Sequence, residues 1–263
     1  MTALECRTGR LDWSEHGGGP GRPLLMVHAL GADRGIWAPQ MPALSAERPV
    51  ILLDLPGHGQ SMAGPGPFAL ADLGLDLLDV ATAAGAEEID LCGLSLGGLA
   101  ALWVAANFPE RVHGLVVSNS AARIGSEQLW AARIDAVETG GMESIREMAI
   151  ARFFTPRFAA TSPTVVEQAA RTLVATDPAG YVACCAALRD ADLRGSVGAI
   201  RCPTLVMGGD EDISTPPAEA IWLHQHIPGS RLRILAGAAH FSNLEQSETW
   251  NSEVGGFLRE QAV

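Results

Sequence analysis

The most informative segment of the chain reads Ile89-Asp-Leu-Cys-Gly-Leu-Ser95-Leu-Gly-Gly-Leu-Ala100. Its apolar start, residues 89–94, predicts a buried β-strand, and residues 96–107 predict a helix. Between them, Gly93-Leu-Ser95-Leu-Gly97 matches G-x-S-x-G, in which a sharp turn from strand to helix exposes the serine. The flanking glycines avoid steric clashes in such a turn. Ser95 is therefore the predicted nucleophile, at the positive end of the following helix.

Short apolar runs alternate with helical segments on both sides of this turn. The predicted strands are residues 24–28, 50–55, 112–118, 204–207 and 232–235, and the predicted helices are 35–45, 70–84, 217–226 and 246–260. Residues 3–16 predict a hairpin at the sheet edge. This alternation is typical of βαβ units and a parallel sheet, and runs that are apolar on both faces indicate a sheet covered on both sides. The fold class is therefore α/β, with a mostly parallel central sheet flanked by helices.

The alternation stops at residue 123. Residues 123–195 predict helices only, at 126–139, 141–153, 163–175 and 178–189, with prolines between several of them. We therefore expect a core made of residues 1–122 and 196–263, and a helical cap made of residues 123–195. The cap should cover the carboxyl edge of the sheet, where open α/β sheets bind their ligands.

Composition excludes several classes of function. The net charge is −12, so nucleic acids and anionic membranes are not expected partners. The chain contains no lysine, which excludes a Schiff-base lysine and the lysine of a P-loop. No metal motif is present, and we expect neither a metal nor a cofactor.

Cysteine usage and the apolar segments predict a cytoplasmic protein. The five cysteines are an odd number, and their spacing matches no metal site. The first 13 residues resemble no signal peptide, and no segment is long and apolar enough to span a membrane.

A serine hydroxyl needs a base, and the base must be held by an acid. His240 follows the last predicted strand, so it should reach the edge of the sheet where Ser95 lies. The acid should follow the strand after the cap, where Asp210, Glu211 and Asp212 are adjacent. Asp212 is the predicted triad acid, because in the α/β-hydrolase fold, which the G-x-S-x-G turn resembles, the acid commonly lies shortly before a proline segment, here Ile-Ser-Thr-Pro-Pro. Asp210 is the alternative.

Two backbone N–H groups are needed to bind the developing oxyanion. Leu96, the residue after the nucleophile, should donate one, and Leu30 in His28-Ala-Leu-Gly31 should donate the other. Together these motifs resemble the α/β-hydrolase fold. That fold usually has His-Gly where this chain has His28-Ala29, which affects the loop if that position needs a positive φ.

The predicted cap resembles a narrower family, the 3-oxoadipate enol-lactonases. The similar segments are Ser118–Gly125, Trp130-Ala-Ala-Arg133-Ile, Gly140-Gly-Met142, Arg152–Pro156, Gly180–Asp192 and Asp212–Pro217. The resemblance covers nearly the whole chain. It implies a cofactor-free serine hydrolase of aromatic catabolism, in the β-ketoadipate pathway, that opens a small anionic enol lactone to 3-oxoadipate.

The substrate carboxylate should need a cationic partner in the cap. Arg133 is the predicted partner and Trp130 an apolar wall beside it, because they lie one helical turn apart. Arg152, Arg157 and Arg189 are the alternatives. Other functions compatible with the sequence are a carboxylesterase, a carbon–carbon bond hydrolase, a non-catalytic binding protein and a cofactor-free oxygenase.

Overall fold

Strands and helices alternate along the chain in the predicted order. A computed structural model describes residues 2–261. The strands are β1 Thr2–Cys6, β2 Gly9–His16, β3 Leu24–Val27, β4 Val50–Leu53, β5 Met62–Ala63, β6 Ile89–Leu94, β7 Val112–Ser118, β8 Thr204–Gly209 and β9 Arg231–Leu235. The helices are α1 Met41–Leu44, α2 Leu70–Ala83, α3 Leu96–Asn107, α4 Glu127–Gly140, α5 Arg146–Phe153, α6 Pro156–Thr161, α7 Pro163–Ala175, α8 Pro178–Asp190, α9 Pro217–His226, α10 Ser242–Glu245 and α11 Ser247–Glu260.

Within the described residues these strands form one sheet, in the order β1-β2-β4-β3-β6-β7-β8-β9, with β5 paired to β2. From β4 to β9 all neighbouring strands are parallel, whereas β1, β2 and β5 add antiparallel pairs at one edge. The predicted mostly parallel sheet and the edge hairpin are confirmed. The carboxyl ends of the parallel strands meet at one edge, so the loops after β3, β6, β7, β8 and β9 converge there.

The centre of the core lies where β3 and β6 pair and α3 packs on the sheet. Every residue of β3, β4, β6 and β8 is buried. Helix α3 is buried along most of its length because it contacts α2 as well as β6 and β7. A fully buried strand and a mostly buried helix therefore hold the turn at residue 95 between them.

A helical insertion, residues 123–195, lies between β7 and β8 and contains α4 to α8, with no strand among its residues, all of which are described. Side chains of Ser126, Thr155 and Asp177 accept hydrogen bonds at the amino ends of α4, α6 and α8. A backbone hydrogen bond of 2.7 Å from Leu193 to the Ala122 carbonyl joins the two ends of the insertion. No helix within residues 2–261 is long and apolar enough to cross a bilayer.

Some boundaries differ from the predicted ones. The helix expected over 35–45 is a 3₁₀ turn, Arg34–Trp37, followed by α1. Pro39, which has no N–H to donate, separates the two, whereas Pro42 lies in the first turn of α1, where proline is tolerated. The helix expected over 141–153 begins with a 3₁₀ turn after Gly141, whose φ of 67° ends α4, and becomes α-helical at α5. Strand β5 and the short helices α6 and α10 were not predicted, since each is too short to show a periodic pattern.

Candidate active site

Ser95 lies at the turn between β6 and α3, with φ 56° and ψ −114°. This conformation is strained for a residue with a side chain. A Cβ atom on Gly93 would lie 2.2 Å from the Gly97 carbonyl oxygen, and one on Gly97 would lie 2.3 Å from the Val27 carbonyl oxygen. Both glycines of the motif are therefore required by close backbone contacts.

Hydrogen bonds to the next strand hold this strained turn. The Ser95 amide donates to the Ser118 carbonyl over 3.0 Å, and the Ser120 hydroxyl donates to the Ser95 carbonyl over 2.7 Å. Both partners belong to the end of β7 or the residues just after it. The backbone of residue 95 is fixed on both sides, while its side chain lines a cavity.

His240 and Asp212 form a buried pair at the same edge of the sheet. His240 follows β9, Asp212 follows β8, and Nδ1 of His240 lies 2.8 Å from Oδ2 of Asp212. An ionised carboxylate only accepts hydrogen bonds, so Nδ1 carries the proton and Nε2 of the neutral ring is the basic nitrogen. His240 and Ser95 line the same cavity. No hydrogen bond joins them within the described residues, and such bonds commonly tighten only when substrate binds.

Asp212 is held as an anion. Its Oδ1 accepts the amides of Ser214 and Thr215, at 2.8 and 3.0 Å, and its Oδ2 accepts the Thr215 hydroxyl at 2.8 Å. Burial raises the pKa of this carboxyl, but His240 and the hydrogen bonds from Asn119 and Thr215 outweigh burial and lower the pKa to about 2. A permanently ionised Asp212 can orient the imidazole and stabilise its cation.

The three competing carboxylates have different surroundings. Of Asp210, Glu211 and Asp212, all within the described residues, Asp212 is the one that contacts His240. Asp210 is exposed, and its Oδ1 accepts the Gly237 and Ala238 amides. Asp210 therefore organises the turn before His240 from outside the site.

Asn119 is a site residue that sequence reasoning missed. It follows β7 with φ 45°, and Nδ2 donates to Asp212 Oδ2 over 2.9 Å and to the Ala239 carbonyl over 3.1 Å. Its Oδ1 accepts the Ser118 and Ser242 hydroxyls. Asparagine tolerates a left-handed backbone better than most residues, so an Asn directly after a buried strand was the available signal.

Leu30 and Leu96 present the two predicted oxyanion donors. Leu96 is the first residue of α3, and Leu30 lines the cavity with Ser95. Within residues 2–261 neither amide hydrogen has an acceptor. In the loop His28-Ala-Leu-Gly31 the positive φ is at Gly31, 76°, and the φ of Ala29 is not positive. The alanine at position 29 is therefore compatible with this loop.

Two neutral histidines fix the orientation of the Leu30 loop. His28 donates from Nδ1 to the Ala29 carbonyl over 2.8 Å and accepts the Leu55 amide at Nε2. His58 accepts the Gly31 amide at Nε2 over 3.0 Å. Burial lowers the pKa of His28 to about 4 and that of His58 to about 3, so both stay neutral at pH 7. The carbonyl that His28 binds belongs to the peptide group of the Leu30 N–H, which it orients.

The insertion contributes side chains to this cavity, which has a volume of about 60 Å³. Trp130 and Arg133 of α4 line it together with Tyr181 of α8. Arg133 donates to the Tyr181 hydroxyl over 2.9 Å, and burial raises the pKa of that hydroxyl, so it remains a neutral acceptor. Of the alternative arginines, Arg152 lines the cavity. The other two are bonded elsewhere, Arg157 to the Gly237 carbonyl and Arg189 to Asp190.

One cluster outside the site has the composition of a metal site. Cys6, Asp76 and Asp79 bring possible ligand atoms within 4.8 Å of one another. The Asp76 carboxylate, however, already accepts the amides of Arg7 and Thr8 and the Thr8 hydroxyl. Burial raises the pKa of the Cys6 thiol to about 12, which disfavours the thiolate that binds metals. These groups hold β1 against α2.

Residues 22–247 match the sequence model of a protein family described as the alpha/beta hydrolase fold. The chain belongs to this family. Within it, the chain is 34% identical to 3-oxoadipate enol-lactonase 2 of Acinetobacter baylyi, over 95% of this chain and 93% of that protein. The resemblance to enol-lactonases that the insertion motifs indicated is confirmed.

Solved structures of α/β hydrolases agree with this relationship. The enol-lactonase of Burkholderia xenovorans LB400 superposes with a TM-score of 0.96 and is 33% identical, with 98% of this chain and 100% of that chain covered. A thermophilic esterase of Thermogutta terrifontis superposes with a TM-score of 0.93 and is 27% identical, with both chains fully covered. The predicted α/β-hydrolase fold is confirmed, and the chain is a hydrolase of this fold.

Proposed function

We propose that the protein hydrolyses 3-oxoadipate enol-lactone to 3-oxoadipate, with Ser95, His240 and Asp212 as its catalytic triad. One observation carries the proposal: Arg133 and Trp130 line the same cavity as Ser95 and His240. An anionic lactone bound there would have a cation for its carboxylate and a nucleophile at its carbonyl. The relationship to proteins named as 3-oxoadipate enol-lactonases supports this choice of substrate.

In the first half of the reaction, Nε2 of His240 accepts the hydroxyl proton of Ser95 as Oγ attacks the lactone carbonyl carbon. The carbonyl oxygen becomes an oxyanion, which accepts the Leu30 and Leu96 N–H groups. Collapse of this intermediate breaks the ring C–O bond, and the enol oxygen takes the proton from His240. The leaving group stays tethered, because the broken bond was part of a ring.

In the second half, water attacks the acyl-enzyme. Nε2 of His240 accepts a proton from this water, and the same two amides bind the second oxyanion. Cleavage of the bond to Ser95 Oγ releases the acid, and the proton on His240 returns to the serine. The enol tautomerises to the ketone of 3-oxoadipate, so the cycle consumes one water and needs no redox step.

Residues 123–195 would act as a cap that selects the substrate. Ser95 and His240 are only 7% and 4% exposed, so a bound lactone would lose water when the cap is seated. Burying a carboxylate without a partner is costly, and the Arg133 fork can pair with it in a bidentate way. Tyr181 would keep that guanidinium at the cavity wall. The cytoplasmic location expected from cysteine usage is part of this proposal.

The decisive experiment is turnover of 3-oxoadipate enol-lactone by the purified protein. The loss of ultraviolet absorbance of the enol lactone and the appearance of 3-oxoadipate should both follow enzyme concentration. The Ser95→Ala variant is the control, because contaminating hydrolases would survive the substitution. If the protein hydrolysed neutral esters but not the lactone, the proposed substrate would be wrong, whereas the proposed reaction type, ester hydrolysis by Ser95, would stand.

A carboxylesterase acting on neutral esters is the second candidate. The observation in its favour is an apolar cavity of about 470 Å³ between residues 31–39 and α7, which includes Ile36, Val165, Ala169 and Phe241. Gly31 and Phe241 are the chain neighbours of Leu30 and His240, so an apolar chain could extend there from the reacting carbonyl. A series of p-nitrophenyl esters of increasing length tests this. A kcat/KM that rises with chain length and exceeds that of the lactone would favour the esterase.

A further inference from the structure

The loop that carries His240, residues 236–241, is named the histidine loop. It is hydrogen-bonded to a short segment of the insertion, residues 153–157. The Phe241 amide donates to the Phe153 carbonyl over 2.9 Å. Arg157 donates to the Gly237 carbonyl over 3.0 Å. The ring of Phe153 stacks on Phe241 and on His240, with centroids 4.1 and 6.3 Å apart. The segment that ends α5 and begins α6 is therefore the direct neighbour of the histidine loop.

One carboxylate joins these two segments. Glu245, at the end of α10, accepts the Ala239 amide at Oε1 over 2.9 Å. The same carboxylate accepts the Thr155 amide at 3.2 Å and the Thr155 hydroxyl at 2.6 Å. Thr155 also accepts the Phe158 amide and so caps α6. The Glu245 carboxylate thus accepts hydrogen bonds both from the residue before His240 and from the residue that caps helix α6 of the insertion.

Ala239 is held on both of its backbone polar groups. Its amide donates to Glu245, and its carbonyl accepts Nδ2 of Asn119, which also binds Asp212. A continuous series of hydrogen bonds therefore runs from Thr155 through Glu245, Ala239 and Asn119 to the carboxylate that orients His240.

We propose that Glu245 is a positioning residue that makes the alignment of His240 depend on the seating of the insertion. When the insertion is seated, the Thr155 hydroxyl holds Oε2 and the Thr155 amide bridges both oxygens, which fixes the carboxylate with Oε1 on the Ala239 amide. When the insertion moves away, Glu245 loses these donors and is free to rotate towards solvent. The Ala239–His240 backbone then loses one of its two side-chain restraints. This inference rests on the proposed role of His240 as the base.

The first test compares Glu245→Ala and Glu245→Gln with Glu219→Ala. Glu219 is a matched control, because it is also partly buried, with its pKa raised by burial, but lies on α9. Within residues 2–261 its side chain makes no hydrogen bond to the histidine loop. The readouts are kcat on a small acetyl ester and the rate at which a small fluorophosphonate labels Ser95. Neither depends on the lactone, so a wrong substrate would not affect the result.

We expect Glu245→Ala to lower kcat and the labelling rate by about 10- to 100-fold, as small misplacements of reacting groups do. KM should change little. Glu245→Gln keeps one acceptor oxygen and should lose less. The downfield proton resonance of the His240 Nδ1–H bond should weaken or broaden in the alanine variant. A Glu245→Ala protein with the kcat, labelling rate and ring-proton resonance of Glu219→Ala would overturn the proposal, whatever its Tm.

The second test asks whether the insertion acts through Glu245. Thr155→Val removes the hydroxyl, and Thr155→Ser retains it. Valine should lower kcat by about 3- to 10-fold in the native background, the effect of one ordinary hydrogen bond, because the Thr155 amide still donates to Glu245. Serine, which retains the hydroxyl, should have the native kcat. In the Glu245→Ala background valine should have almost no further effect on kcat. Independent, multiplicative effects of the two substitutions would show that Thr155 does not act through Glu245.

Discussion

Asn119 binds the same oxygen of Asp212 that His240 binds: its Nδ2 lies 2.9 Å from Oδ2, beside the 2.8 Å bond from the imidazole. The Asp212 carboxylate is therefore held from β7 as well as from its own loop. Without Asn119, Oδ1 would keep its two backbone donors, and Oδ2 would keep only the Thr215 hydroxyl and His240 itself. The orientation of Oδ2 towards His240 would be less restricted.

Asn119→Gly tests this relationship without adding backbone strain, because glycine tolerates the φ of 45°. We expect kcat on a model ester to fall by about 10- to 100-fold, the effect of losing a hydrogen bond to a charged group. Asn119→Asp should be worse, since a second carboxylate beside Asp212 raises the pKa of one of the two. If both variants had the wild-type kcat, Asn119 would have no role in positioning Asp212 for catalysis.

Ser95→Ala and His240→Ala should each lower kcat by roughly 10³-fold or more, because triad members act as a unit. The double variant should be little worse than either single variant. Steady-state kinetics on the lactone, with protein repurified on a fresh column, provide the measurement. A fluorophosphonate should label Ser95 alone, as mass spectrometry of the digested protein would show. Near wild-type turnover by Ser95→Ala would contradict the mechanism.

Asp212→Asn and Asp210→Asn should differ in kind. The first removes the anion that orients His240 and should lower kcat by about 10⁴-fold while the protein stays folded. The second weakens an exposed turn contact to Gly237 and should be much milder. Circular dichroism and kcat on one ester separate the two effects. If Asp210→Asn proved the more harmful for turnover, the assignment of the acid would be wrong.

Arg133→Met should distinguish charge recognition from packing. Loss of a hydrogen bond to the substrate carboxylate should cost about 1.5–3 kcal/mol in kcat/KM on the lactone and little on a neutral ester of similar size. Arg189→Met is the matched control, because Arg189 lies in the same insertion but is bonded to Asp190 outside the cavity. Equal losses on both substrates would reduce Arg133 to a packing residue. No loss on either would direct attention to Arg152.

Acid should destabilise the protein through His28 and His58. Their folded pKa values, about 4 and about 3, lie below the unfolded value of 6.5, so the unfolded chain binds protons first as the pH falls. Stability should therefore decline between pH 6.5 and pH 4, by about 1.4 kcal/mol per pH unit for each histidine. His58→Gln retains an acceptor for the Gly31 amide but removes one titrating group. The slope of unfolding free energy against pH should therefore fall by about 1.4 kcal/mol per pH unit. Urea unfolding at several pH values measures this slope, and an unchanged slope would contradict it.

The sequence predicted those parts of the site that depend on local pattern. The elbow at Ser95 follows from two glycines between a strand and a helix, and Asp212 and His240 follow from their places after strands. Arg133 and Trp130 were found as a pair at helical spacing and do line the cavity.

The remaining parts depend on which loops meet in space. Asn119 and Glu245 each contact residues from separate segments of the chain. The position of Asn119 directly after a buried strand is a weak signal, and no local pattern marks Glu245. The pairing of Thr155 with Glu245 joins residues 90 positions apart. The short helices α6 and α10, which present these residues, are also below the length at which periodicity is visible. The unpredicted features are thus long-range contacts and elements of one or two turns.

The attachment of the insertion has an evolutionary consequence. Strands β7 and β8 are hydrogen-bonded neighbours, with Leu115 opposite Thr204, and the Leu193–Ala122 bond closes the base of the segment between them. Residues between these two points can be lengthened, shortened or exchanged without changing any strand pairing. A lineage could therefore drift in substrate preference while its chemistry stayed constant, and a chimaera cut at these two points should inherit its selectivity from the donor. Any such graft would need a hydroxyl or amide donor that meets Glu245.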